Sequence, residues 1–139
     1  MRGIPGSGKS TYLLDNYPRA VVVSVDQFFT RSGSYVFDPR LLGIAHKVCF
    51  QNYLLLLESG VSLIAVDNTN LPRSEVKKYR DAALVDEYQP FIITILEDPE
   101  EAYLAGIHNV PREKVYEMAE KLDRVELPGN WEHLIIDYT

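Results

Sequence analysis

The chain has 139 residues, of which 46% are hydrophobic and 24% charged, with a formal net charge of −6 and a pI near 5.0. That length is enough for one domain with a buried core. The acidic balance argues against broad, charge-driven binding to long nucleic acid but leaves room for one terminal phosphate in a local basic pocket. One cysteine, Cys49, excludes an internal disulfide, no signal peptide is legible, and the apolar runs near 54–57 and 63–66 are too short to span a bilayer, so a reducing, cytoplasmic setting without a membrane is expected.

The first element is a loop. Gly3-Ile4-Pro5-Gly6-Ser7-Gly8-Lys9-Ser10-Thr11 matches G-x-x-x-x-G-K-S, a spacing with a mechanical reason. The glycines let successive backbone N–H groups turn inward around the α- and β-phosphates of a nucleotide. Lys9 would reach the β- and γ-phosphates and the Ser10 hydroxyl would sit on Mg²⁺. A helix starting near Lys9 would add its positive N-terminal end. The expected nucleotide contacts are therefore Gly3, Pro5, Gly6, Ser7, Gly8, Lys9, Ser10 and Thr11.

Residues 20–24 (AVVVS) predict a strand buried on both faces, and residues 27–37, with Gly33 and several polar and aromatic residues, predict a loop. Asp38-Pro39 reads as a helix start with Asp as N-cap and Pro in the first turn; Leu41, Leu42, Ala45, Val48, Cys49 and Leu56 recur at helical spacing until Ser59-Gly60. A second buried strand covers 61–66 and ends in Asp67-Asn68-Thr69-Asn70. A helix follows over 73–87, a strand over 91–96, a helix from Asp98-Pro99, a helix from Pro111 to about residue 125, and a last strand over 134–138. This alternation predicts a three-layer α/β fold on a parallel sheet, with residues 1–139 as one unit. A phosphate-binding loop ordinarily follows the central strand of such a sheet, yet only Met1 and Arg2 precede Gly3. Either the true start lies upstream of Met1 or the sheet has lost most of its central strand. The first is favoured, because the second would leave two buried strands without partners.

Ligands of open α/β sheets bind at the carboxyl ends of the strands, and two acids stand there. Asp67 follows an apolar strand directly, the position from which a carboxylate holds Mg²⁺, usually through water; Asp26 is then free to act as general base on an attacking hydroxyl.

The strings GIPGSGKST, SVDQFF, YVFDP, AHKVC, VDNTN and HNVPREKVYEM resemble, in order from Gly3 to about Met118, the polynucleotide-kinase-like P-loop kinases. The resemblance implies a nucleotide-kinase-like P-loop fold and transfer of an NTP γ-phosphate, with ATP and Mg²⁺, to a hydroxyl such as the 5′-OH of DNA or RNA or a nucleoside. On it Lys9 and Ser10 take the nucleotide and metal, Asp26 holds the general-base position, and Asp67-Asn68 lie where metal or acceptor is contacted. This chain departs from the family at Gln27, where a second acid often stands, at Phe29, where an acceptor-binding arginine stands in some members, and in the lid, where Ala105-Gly106-Ile107-His108-Asn109 lacks the usual arginine. The missing arginine points to slow transfer, to a substitute such as Arg112 or Lys114, or to no transfer at all; Asp26, Lys9 and Arg112 form the candidate catalytic set, with Ser10 and Asp67 for the metal.

Lesser candidates are Arg73, Lys77, Lys78 and Arg80, which could meet an acceptor phosphate or form a solvated helix face; His46, expected as a hydrogen-bonded core residue; His108 in the lid; and Phe28, Phe29, Tyr35 and Phe37, which could stack on an acceptor base or simply pack. The leading reading is an NTP-dependent kinase. Its rivals are a nucleotide-binding module without transfer, acting as a switch or interaction protein, and a small-molecule phosphotransferase.

Overall fold

The structure, a computed structural model, describes residues 1–139, the side chain of Arg31 excepted. After the opening loop, Gly8 takes a left-handed φ of 92° and α1 runs over Lys9–Asn16. Then come β1 (Val21–Val23), α2 (Val25–Phe29), the hairpin β2 (Thr30–Arg31) and β3 (Ser34–Tyr35), a short 3-10 turn at Pro39–Leu41, α3 (Leu42–Glu58), β4 (Ile64–Val66) and α4 (Arg73–Val85). β5 (Ile92–Leu96), α5 (Pro99–Ala105), α6 (Arg112–Arg124) and β6 (His133–Asp137) complete the chain. Both Asp-Pro helix starts behave as expected: Asp38 accepts from Arg40 N, and Asp98 accepts from Glu100 N and Glu101 N. Among the described residues no helix is long and apolar enough to cross a membrane.

β1 pairs with β4 in parallel, Val22 opposite Ala65, and β5 pairs with β6 in parallel, Thr94 opposite Ile135. Residues 1–3 lie between the two pairs. Arg2 N donates to Ile93 O at 2.8 Å and Arg2 O accepts from Ile95 N at 2.8 Å on one side. On the other, the Met1 ammonium donates to Val66 O at 2.9 Å and Gly3 N to Thr69 O at 3.0 Å. The order across the sheet is thus β1, β4, residues 1–3, β5, β6, and the stub before the phosphate-binding loop occupies the central place. The architecture is an α/β fold with parallel strands.

Two expectations change. β1 is not buried on both faces: Val21 is 41% exposed and only Val23 is fully buried, because β1 is the margin of the sheet and has one neighbour. The stretch 27–37 is not a loop but the end of α2 and a hairpin. Ser24-Val25-Asp26-Gln27 forms a capping box: Ser24 Oγ accepts from Gln27 N, and Gln27 Oε1 accepts from Ser24 N.

The largest core joins Val23 of β1 and Val25 and Phe29 of α2 to α3 and α4. On α3 the inward positions Ala45, Cys49, Tyr53 and Leu57 recur every fourth residue, one face of the helix. Cys49 is buried as expected, with Sγ accepting from Tyr79 Oη at 3.4 Å. A second core gathers Ile4 of the loop, Leu71, Ala102 of α5 and Val115 and Leu122 of α6, so the loop is packed against α5 and α6.

Candidate functional site

The phosphate-binding loop is held by contacts that local sequence does not announce. Arg2, 3% exposed, sends its guanidinium to Asn70 O and Leu71 O at 2.9 Å each and to Val125 O at 3.3 Å. Asn70, left-handed at φ 48°, donates from Nδ2 to Met1 O at 2.8 Å. A buried cation bonded to carbonyls ties the loop's base to the turn after β4 and to the end of α6. Within the loop, Gly6 and Gly8 take φ of 79° and 92°, a region open to glycine at little cost. Gly6 also lies against the backbone of Ala102, where a Cβ would stand 1.9 Å from the carbonyl oxygen.

Lys9 is buried to 9% exposure and donates from Nζ to Ile4 O at 2.9 Å. Burial lowers its pKa, while Asp67 and Asp26, in that order, oppose the shift. Both predicted acids therefore act on the loop lysine across space. Ser10 Oγ donates to Asp67 Oδ2 at 2.5 Å, joining the first turn of α1 to the end of β4. The buried hydroxyl of Ser7 has no hydrogen-bond partner.

Asp26 sits in the first turn of α2. Its Oδ1 accepts from Tyr35 Oη at 3.3 Å, and His108 Nε2, from the segment between α5 and α6, stands 3.4 Å from Oδ2. The His108 and Tyr35 rings lie 3.9 Å apart at 30°, so the segment between α5 and α6 rests on the hairpin directly beside Asp26. Desolvation first, and Asp26 second, push the Tyr35 phenol up to about 12. It stays a hydrogen-bond donor throughout the physiological range.

Other candidates fall elsewhere. Arg112 Nε bonds Glu100 Oε2 at 2.7 Å and the guanidinium lies over the Tyr116 ring at 5.0 Å, which ties α6 to α5. Lys114 pairs with Glu117 one turn on. Asn68 is a clamp: its Oδ1 accepts from Val25 N at 2.8 Å and fixes the start of α2, and thereby Asp26. Gln27 is committed to the capping box and to Val22 O. Phe29, 3% exposed, packs edge-on against Phe28, Tyr35 and Phe37, a position with no room for a solvated arginine. Lys77 and Lys78 pair within α4 to Asp81 and Glu75, and Arg80 lies over Trp131, so the basic run reads as a helix face. His46 differs from expectation: its buried Nδ1 has no hydrogen-bond partner.

Sequence reasoning missed Arg2, Asn70 and the capping role of Gln27. The last had a legible signal, S-x-x-Q before an apolar pair. The first two had none, because their partners lie far along the chain.

The donor set suits Mg²⁺. Ser10 and Asp67 offer a hydroxyl and a carboxylate, and no group of three or more His, Cys, Asp or Glu gathers among the described residues. Mg²⁺ prefers oxygen and is commonly held by one or two protein groups, phosphates and water, not by a full protein cage. The unpartnered Ser7 hydroxyl and the glycine-lined turn likewise fit a phosphate.

Residues 1–125 match the family described as AAA domain. The human NEDD4-binding protein 2 is 35% identical over 133 residues, covering 89% of this chain, which itself spans only 7% of that relative's length. A solved structure of a candidate kinase from Chloroflexus aurantiacus j-10-fl superposes with a TM-score of 0.64 at 20% identity, covering 97% of this chain and 84% of that one. At that identity the likeness speaks for the fold alone.

Proposed function

The chain belongs to the AAA domain family, a P-loop kinase-like family, and on that premise we propose that it is an NTP-dependent kinase that phosphorylates a hydroxyl. The observation that carries the reading is the 2.5 Å contact of Ser10 with Asp67 beside the buried Lys9. In this reading Gly3 to Thr11 wrap the phosphates of ATP or another NTP, and Lys9 leaves Ile4 O for the β- and γ-phosphates. Mg²⁺, held by Ser10 and Asp67, would neutralise charge on the phosphate oxygens. Asp26 takes the proton of the acceptor hydroxyl as its oxygen attacks the γ-phosphorus, the bond to the β–γ bridging oxygen breaks, and the diphosphate leaves. The Asp26 carboxylate is half-exposed beside Tyr35 and His108, so it keeps acceptor capacity for an incoming hydroxyl. Arg112, freed from Glu100, is the cation proposed to meet charge on the transferring group. A polynucleotide 5′-OH or a nucleoside is the proposed acceptor.

A second reading, a nucleotide-binding module without transfer, is favoured by the engagement of Arg112 with Glu100 and of Asp26 with Tyr35 and His108. γ-Labelled ATP offered with 5′-OH oligonucleotides, with nucleosides, with small-molecule alcohols and with no acceptor separates the readings. Label on any acceptor supports the kinase and identifies its class. Tight ATP binding with label on none supports the module.

A further inference from the structure

The hairpin that follows α2 carries a side chain the proposed reaction does not use. Its turn passes through Ser32 and Gly33, whose φ of 52° and 79° are those of a two-residue type I′ loop. That turn fixes the register, with Thr30 opposite Tyr35, and Val36 N adds a bond to Phe29 O at 2.8 Å. Directly opposed residues share one face of the ribbon. Thr30 Oγ1 donates to Asp26 O at 2.8 Å, so this face is turned toward α2, and Tyr35 lies on it. From there the phenol reaches back to donate to Asp26 Oδ1 at 3.3 Å.

The Asp26 side chain needs such an anchor. It is 52% exposed and stands in the first turn of a five-residue helix. A carboxylate turns easily about its terminal bond, and local backbone N–H groups near a helix start compete for its oxygens. A donor on Oδ1 removes that freedom. The Tyr35 ring is itself held, by His108 stacked at 3.9 Å and by Phe29 edge-on at 6.4 Å, and Phe29 is buried in the core. The other oxygen, Oδ2, lies toward His108 Nε2 at the longer distance of 3.4 Å.

We propose that Tyr35 is a positioning residue for Asp26: its hydroxyl anchors Oδ1 and leaves Oδ2 as the oxygen that takes the proton of the acceptor hydroxyl. The inference rests on the phosphoryl-transfer reading above and goes beyond it by assigning the aim of the base to the hairpin. The proton passes from the acceptor oxygen to Oδ2, while Tyr35 keeps its own and exchanges nothing with the substrate. A base held at one angle is ready for attack in every encounter, and one that rotates is ready in only some of them. The turn at Ser32 and Gly33 thereby bears on the chemistry, since a slip of one residue would put Tyr35 on the far face of the ribbon.

Tyr35→Phe deletes the hydroxyl and keeps the ring with its stack. In transfer of label from γ-labelled ATP to a 5′-OH oligonucleotide or a nucleoside, this variant is expected to lower kcat by about 10–100-fold, the range of one hydrogen bond to a charged group. KM for ATP should stay unchanged, and Tm should remain within about 4 °C of the unsubstituted protein. Asp26→Ala and the double variant complete a cycle. Because Tyr35 acts only through Asp26, the double variant should transfer label no more slowly than Asp26→Ala alone. An equal loss from Tyr35→Phe in both backgrounds would overturn the proposal, since a merely structural tyrosine behaves that way. An unchanged kcat, or a loss confined to KM for ATP, would overturn it too. If the unsubstituted protein binds ATP and labels neither acceptor, the kinase reading falls and takes the assignment with it. If that protein is active and Tyr35→Phe matches it, the assignment alone falls.

Discussion

Gly6→Ala is the substitution that most directly tests how the phosphate-binding loop is built. A Cβ at Gly6 would stand 1.9 Å from Ala102 O and 2.8 Å from Ala102 C, both backbone atoms of α5, and φ is 79°. Gly8 has a similar φ of 92° but nothing within 4 Å of its Cβ position. Left-handed backbone costs a side chain about 1–2 kcal/mol at either site. At Gly6 an overpacking cost of about 1–3 kcal/mol adds to this, toward the upper end because a backbone carbonyl cannot rotate away. The expected losses are about 4 kcal/mol for Gly6→Ala and about 1.5 kcal/mol for Gly8→Ala, or roughly 15 °C and 5 °C in Tm for a chain of this size. Thermal unfolding followed by circular dichroism measures both, and calorimetry with ATP and Mg²⁺ measures whether the displaced loop still binds. Gly6→Ala should lose binding even below its lowered Tm, since the loop must move off Ala102. If the two variants lost the same Tm, close packing of the loop on α5 would not be what Gly6 serves.

Lys9→Ala should weaken ATP affinity at least tenfold by calorimetry, because a charge-assisted bond to phosphate is worth about 1.5–3 kcal/mol. Asp26→Asn should reduce labelled-phosphate transfer by about 10²–10⁴-fold with nucleotide affinity retained; a matching loss of affinity would point to a structural or metal role. Arg112→Ala should cut turnover on the order of 10³-fold if Arg112 reaches the transferring group, and Glu100→Gln, which releases it, should not. Turnover indifferent to Arg112→Ala would leave His108 or Lys114 as the lid's contributor. The Met1 amine, at about 6 when folded against 8.0 unfolded, binds fewer protons in the folded state between those values. Stability should therefore rise by about 2 kcal/mol from pH 6 to pH 8 on this account, with Asp67 and Lys9 as the charges that face it, and N-terminal acetylation should flatten that rise in a urea titration.

Much of this protein is written in short-range rules. The order of the longer helices and strands (α2 and the β2–β3 hairpin excepted), the caps at Asp38 and Asp98, the stop at Gly60 and the loop from Gly3 to Ser10 follow from interactions within a few residues, where backbone geometry and hydrogen bonding are nearly fixed by residue type. The placing of Asp26 and Asp67 at strand ends followed as well, since apolar runs ending in an acid mark the rim of a parallel sheet. The margin position of β1 was not legible, because three valines look alike whether one neighbour or two flank them. Nor were the long-range contacts. Ser10 meets Asp67, His108 and Tyr35 close on Asp26, Arg112 is drawn to Glu100, and Arg2 is buried among the carbonyls of Asn70, Leu71 and Val125 only once helices and sheet have packed. Each of these pairs joins elements that share no local pattern, and their distances are set by how the layers stack, a property of the whole core and not of any one segment.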